Sequence, residues 1–318
     1  QGDDEGGQEN GRGHDFMSSN NTITIDYVSF VWDTKTVPEA INELGLSSST
    51  WTMRAGHYPY AHIQRAGNIS IAYDNYNERG VFVTLTSQGC REFENLSSIG
   101  WADLFGIIRN GEGRMTRLDI AFDDRTGVLD MQRMKHDRDV ANYRSLLSYT
   151  AEHRSHKENI MGMSLYFGAK SSCTNIRIYD KDAEQGGLGE HWIRVELQLR
   201  DTYADTVVKS GLSIPHIFSS VLKKYLVFLQ PQPTDSNKCR WPVAPYWSSL
   251  LEDAQTLTLS CHRDTRSDGQ SRITNLQNVL RSFARDNGWA STAHIVCKTA
   301  HNDGYPLHMV RSERGASA

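Results

Sequence analysis

The sequence lacks the marks of a disulfide-built, thiolate-zinc or membrane protein. Its five cysteines, at 90, 173, 239, 261 and 297, stand singly, with no CxxC or other paired spacing. An odd, scattered set argues against a disulfide frame or a thiolate zinc site, and for reduced thiols in a cytoplasmic protein. No apolar run approaches the roughly eighteen residues that cross a bilayer, so no membrane association is expected. No charged-then-apolar leader is visible at the N-terminus. A basic surplus is also missing: 34 Lys and Arg stand against 38 Asp and Glu, for a net charge of −4. Total charge therefore counts against a nucleic-acid binder. Binding follows the local field, however, and part of the acidic excess (Asp3, Asp4, Glu5, Glu9) lies in the N-terminal segment.

What is present suits one large domain or two smaller ones, with 318 residues of which 38% are hydrophobic. Residues 1–20 are rich in Gly, Asp, Gln, Asn and Ser and read as a disordered tail. Period-two patterns bounded by Gly, Asn and Asp turns predict strands at 22–32, 57–65, 68–74, 80–87, 115–123, 162–168, 174–181 and 191–200. Helices are expected at 37–46, 100–110 and 137–151, then at 201–209, 214–228 and 247–254 around the Pro-rich stretch LQPQPTDSNKCRWPVAPYW. Further helices are expected at 271–287 and 291–299. The order predicts an α+β fold, a mainly antiparallel sheet with helices packed on one face and an open polar face opposite.

Three segments share one alternation. In TRLDIAFDD (116–124), Leu118, Ile120 and Phe122 face one way, and Arg117, Asp119, Ala121 and Asp123 the other. In NIRIYDK, Arg177, Tyr179 and Lys181 share the outer face; in HWIRVELQLR, Arg194, Glu196, Gln198 and Arg200 do. The last two segments flank a Gly-rich link (Gly186, Gly187, Gly189), so antiparallel pairing is the simplest connection. Folding symmetrically about that link sets Tyr179 roughly opposite Glu196. One face would then carry carboxylates, a phenol and several cations. A phenol of pKa about 10 is a poor nucleophile until activated. Carboxylates can hold a hard cation, Mg2+ or Mn2+, that polarises a phosphodiester, while Arg177 and Lys181 hold the phosphate. Charged outer faces are also ordinary in antiparallel sheets and often make only exposed pairs of small value; the alternation alone leaves both readings open. His153 and His156, three apart, read as solvated side chains before a helical metal pair.

Six segments, in order, resemble the Rep_trans family of rolling-circle plasmid initiators, filamentous-phage replication proteins and relaxases of integrative elements. They are IDYVSF (25–30), GVFVTLTSQGCREFE (80–94, a strand and following turn with the family's Gln-Gly-Cys), TRLDIAFDD, LYFGAKSS with IRIYDKDAEQ (165–185), RVELQLR (194–200) and PVAPYWSSLL (242–251). Ser87 departs from a frequent glycine. There is no His-hydrophobe-His triplet, so the two-histidine metal site of other rolling-circle nucleases has no support. The resemblance implies that a tyrosine attacks a phosphodiester at an origin, leaving a 5′-phosphotyrosine and a 3′-hydroxyl primer. Carried over residue by residue, it makes Tyr179 the nucleophile with Tyr166 as runner-up, and Asp119, Glu196 and Asp123 the metal ligands. Residues 21–255 become the nicking domain, and 256–318 an extension for which contact with a helicase or cover for the sheet edge are the roles considered. Plasmid relatives suggest a homodimer.

Arg114, Arg117, Lys170 and Arg194 are the expected DNA contacts. Arg109, the Arg133/Lys135/Arg138 set, Arg154 with Lys157, and Lys223 with Lys224 are further phosphate candidates. A locally unpaired strand would reach the tyrosine, with aromatic rings as stacking partners. Three alternatives stay open: a non-catalytic origin-binding protein on the same fold, a conjugative relaxase of the same family, and a phosphodiesterase that uses water.

Overall fold

The structure, a computed structural model, describes residues 21–256 except 48, 58, 76–78, 111–112, 158–159 and 188, together with 289, 290 and 293. The chain divides into two compact units, 1–262 and 263–318; the elements below belong to the first. The expected tail and the helix at 271–287 lie outside the described residues, as does nearly all of 291–299.

In chain order the elements are β1 (Thr22–Trp32), α1 (Val37–Glu43), β2 (Thr52–Ala55), β3 (His62–Ala66), β4 (Ile69–Tyr73), β5 (Val81–Leu85), α2 (Ser87–Leu96), α3 (Trp101–Asn110) and β6 (Gly113–Asp124). There follow α4 (Met131–Asp139), β7 (Tyr143–Ser145), β8 (Thr150–Lys157), β9 (Ile160–Phe167), β10 (Thr174–Asp180), α5 (Lys181–Glu184), β11 (Ile193–Arg200), α6 (Asp201–Lys209), α7 (Ile214–Tyr225), β12 (Leu226–Phe228) and α8 (Pro245–Thr256). Ten of the described strands form one sheet in the order β2-β3-β4-β5-β1-β6-β11-β10-β9-β8, antiparallel throughout. β12 and β7 make a separate pair. The α+β expectation holds.

One face of the sheet is apolar. Leu118, Ile120 and Phe122 of β6 and Val195, Leu197 and Leu199 of β11 join the buried stripes of α1 to α4 and α6 to α8 in one core. Each fully buried Leu, Ile or Phe contributes about 1.5–3 kcal/mol. α5 lies on the other side, where Glu184 reaches Arg177 and Ala183 approaches Gly162.

Two β-bulges shape the centre. In β1 the buried phase runs through Ile23 and Ile25, then through Val28, Phe30 and Trp32. The change of parity is accommodated between Ile25 and Tyr27, where Ile25 pairs Ile120, Tyr27 pairs Asp119, and Asp26 is the extra residue. In β6, Met115 and Leu118 are both core, and Thr116 is the extra residue opposite Ser29–Phe30. Bulges bend a strand and re-aim its side chains. Here the first turns Asp26 and Tyr27 to the polar face together.

Some expected elements differ. Helix 137–151 is instead α4, begun earlier because the Asp130 side chain accepts from the N–H groups of Gln132 and Arg133. Strands β7 and β8 occupy the rest. β8 reads TAEHRSHK, an edge strand without apolar alternation, and so was invisible to a periodicity reading. His153 and His156 lie on that strand, and the helical spacing a metal pair would need is absent. Ser87–Leu96 is a helix, not a strand end and turn, and its Gly89 lies close against the Asn68 carbonyl. The helix expected at 214–228 stops at Tyr225, because Leu226–Phe228 pairs with β7. The strand expected at 57–65 is β3, preceded by the unforeseen β2.

Candidate active site

β6, β11 and β10 are neighbours, so their polar faces form one surface. Cross-strand register orders it in rows. Asp123 faces Arg194, which faces Tyr179; Ala121 faces Glu196, which faces Arg177; Asp119 faces Gln198, which faces Asn175. Tyr179 therefore stands opposite Arg194, not Glu196. The link between β10 and β11 contains α5, which moves the pairing by one position on each strand. Parity is kept, so Tyr179 and Glu196 still share a face as diagonal neighbours. Asp119 lies two strands and two rows from Tyr179, on the order of 15 Å between Cα positions by strand geometry. Glu196 stands between them.

Tyr179 is only 3% exposed, yet it lies on the polar face and not in the apolar layer. The Arg177 guanidinium sits 3.7 Å from its ring centroid and Lys181 Nζ 5.7 Å away. Burial raises the phenol well above the ordinary tyrosine value; Arg194 and Arg177 oppose this, and Glu196 and Glu184 add to it. Arg177 reaches Glu196 at 3.9 Å and Glu184 at 3.6 Å. Its Nε is buried with no hydrogen-bond partner among the described residues. Such a donor costs about 1–3 kcal/mol unless a ligand oxygen satisfies it. Lys181 pairs with Glu184. Tyr166 lies 5.8 Å from the Arg177 guanidinium, one strand further out.

The carboxylates divide into two kinds. Asp123 has both oxygens engaged: Arg194 donates through Nε at 2.7 Å and Nη2 at 2.8 Å, and Trp192 Nε1 donates at 2.7 Å. Asp119 accepts from Arg117 at 2.9 and 2.5 Å and from Gln198 at 3.2 Å, and burial still raises its carboxyl against those partners. Among the described residues Glu196 is ion-paired to Arg177 alone, at 3.9 Å, with Arg194 attracting it from further off. Burial, with Asp119 and Asp26 adding to it, pushes its carboxyl up to about 7.

Asp26 is the residue that sequence reasoning missed. It accepts from Ser87 Oγ at 2.9 Å and from Arg194 Nη1 at 3.4 Å, and its charge is felt by both Asp119 and Glu196. The change of apolar parity between Ile25 and Val28 was the available signal, since it requires an inserted residue there. Ala121, opposite Glu196 and flanked by Asp119 and Asp123 on its own strand, adds only a methyl group to the floor between these carboxylates. Oxygen donors of this kind suit Mg2+ or Mn2+, and a cation would offset the burial and the carboxylate repulsion that together raise Glu196. Among the described residues, however, no three His, Cys, Asp or Glu side chains converge in a metal-holding group.

The expected DNA contacts are spread around this surface. Arg117 stacks over Tyr27 at 4.0 Å while holding Asp119. The bulge at Thr116 keeps exposed Arg114 on the same face as Arg117. Arg194 is buried opposite Tyr179 on the neighbouring strand, and Lys170 is exposed in the β9–β10 connection. Arg133, Lys135 and Arg138 pair instead with Asp137, Asp139 and Glu152. No described helix is long and apolar enough to cross a membrane.

Comparison with known proteins agrees with this architecture. Residues 22–108 match the model of the rolling circle replication initiation protein N-terminal domain, and residues 113–271 that of the replication initiation factor family. The chain is 26% identical over 258 residues to the Bacillus subtilis (strain 168) protein named "Putative DNA relaxase NicK", covering 74% of this chain and 72% of that one. It also resembles the structure of a rolling circle replication initiator protein from Geobacillus stearothermophilus, with TM-score 0.71 and 28% identity over 76% of this chain and 99% of that one. Through residues 113–271, which carry the β6, β11 and β10 polar face, the chain belongs to the Rep_trans family of replication initiation factors, preceded by the matching rolling-circle initiator N-terminal domain at 22–108.

Proposed function

We propose that this chain initiates rolling-circle replication by nicking and rejoining one DNA strand through Tyr179. The observation that carries the reading is the convergence of a phenol, two arginines and a group of carboxylates on one polar face of β6, β11 and β10. Tyr179 Oη bonds to phosphorus and the bond to the 3′ oxygen breaks. The phenol's proton is balanced by the one gained at the released 3′-hydroxyl, and the strand stays attached as a 5′-phosphotyrosine. Attack by the 3′-hydroxyl reverses the step.

Arg177, whose Nε has no hydrogen-bond partner among the described residues, and Lys181 hold the phosphate and stabilise charge developing on it. Arg194, fixed by Asp123, backs the phenol and favours its ionised form. Glu196 and Asp119 would offer oxygens to Mg2+ or Mn2+, with Asp26 adding negative charge beside them rather than completing a three-carboxylate cluster; a divalent ion bound there would supply polarisation of the phosphodiester. Asp123, with both oxygens engaged, acts by orienting Arg194. Arg114, Arg117 and Lys170 contact flanking phosphates.

The test is relaxation of a supercoiled plasmid carrying the chain's own origin, with Mg2+ or Mn2+. The parent is expected to nick and reclose it and Tyr179→Phe to leave it supercoiled. Cleavage that persists in Tyr179→Phe overturns the proposal, in favour of Tyr166 if a protein–DNA adduct still forms and of a water nucleophile if none does.

A further inference from the structure

An indole on the same polar face as the tyrosine enters the chemistry above only through its hydrogen bond to Asp123, and its ring has no part there. Trp192 directly precedes β11, and alternation with core Ile193 and polar-face Arg194 puts it on the polar face. Its Nε1 donates to Asp123 at 2.7 Å, the carboxylate that also holds Arg194. Its carbonyl accepts from Lys181 N at 2.8 Å and Asp182 N at 3.3 Å. Ring and backbone are thus both fixed, while the side chain stays half-exposed. The Arg125 guanidinium lies 3.5 Å from the ring centroid and is anchored by Glu190 at 2.7 Å. Lys181 Nζ lies 5.9 Å from this ring and 5.7 Å from that of Tyr179.

Single-stranded nucleic acid is bound by this combination: an aromatic ring held still for a base, with cations placed for the backbone. A ring already ordered loses little freedom on binding. A guanidinium at stacking distance adds a second planar group on which a base can lie. Lys181, 5.7 Å from one ring centroid and 5.9 Å from the other, is placed to hold the attacked phosphate next to a stacked nucleotide. We infer that Trp192, backed by Arg125, is the stacking platform for a base next to the phosphodiester that Tyr179 attacks. The inference rests on the nicking reading for the identity of its ligand, single-stranded DNA, but its test does not require cleavage.

The probes are a dT octamer and an abasic octamer of equal charge, bound by the whole chain in EDTA and read by fluorescence anisotropy. The parent prefers dT, and Trp192→Leu cuts that preference about tenfold. Trp192→Phe, which keeps a flat ring but loses the N–H to Asp123, retains most of it. The inference is overturned if Trp192→Leu keeps the parent's preference, if the parent has none, or if Trp192→Phe is as poor as Trp192→Leu, which would reduce Trp192 to a brace for Asp123. Trp192-dependent stacking in a chain that forms no DNA adduct upholds the platform and takes down the nicking reading alone.

Discussion

At the scale of single residues, Glu196 carries the clearest electrostatic consequence. Its folded carboxyl titrates near 7 against an ordinary 4.5. Between those values the folded chain holds a proton that the unfolded chain has lost, so stability falls as pH rises through that window. The penalty is absent below about 4.5 and complete above about 7, on the order of 3 kcal/mol. Metal-free parent is therefore expected to lose stability between pH 5 and pH 8 in urea titrations, and Glu196→Gln to lose much less; a parent profile as flat as the variant's contradicts this account of Glu196. Asp26 is tested separately. Asp26→Asn keeps the bulge and removes one negative charge, so Mn2+ affinity measured by calorimetry should drop about tenfold or more, with melting temperature unchanged or higher. Tyr179, Asp119 and Glu196 were legible as polar positions on strands with clean alternation. Asp26 was not, because a bulge breaks the period that the alternation argument uses.

At the scale of elements, the sequence was most readable where one face is buried. β11 and α6 follow one another at Arg200–Asp201 with nearly the expected bounds, since VELQLR alternates and the next segment shifts to helical spacing. β8 and β2 lie at the two edges of the sheet, where burial imposes no pattern, and both escaped the reading. The polar-face register also depended on an element that periodicity does not show, the one-turn α5, which sets Tyr179 against Arg194. The junction between β1 and β5 offers a test of how tightly the centre is built. Gly80 has φ +65°, and a Cβ there would meet the Trp32 carbonyl oxygen at 2.2 Å. Gly80→Ala combines a left-handed backbone with a clash against main chain, and should destabilise the domain by about 2 kcal/mol or more in chemical denaturation. A loss under about 0.5 kcal/mol would show that the turn relaxes freely.

At the scale of the whole molecule, a chain of net charge −4 binds DNA only if its cations are gathered on one side. On the polar face Arg117, Arg177, Lys181 and Arg194 stand paired with carboxylates, as many helix-borne cations do, so the exposed Arg114, and Lys170 at the border, are the cations most open to DNA phosphates. Affinity for single-stranded DNA should therefore fall steeply with salt. Arg114→Gln or Lys170→Gln should each reduce the log–log slope by about 0.7; an unchanged slope removes that residue from the interface. The central claim is narrower than binding: a tyrosine on this face becomes bonded to DNA. Its most direct measurement is mass spectrometry of the trapped protein–DNA adduct after nuclease and trypsin digestion. The account predicts a nucleotide on the peptide Ile178-Tyr179-Asp180-Lys181. A nucleotide on the peptide that contains Tyr166, or origin cleavage with no adduct on any peptide, would contradict it.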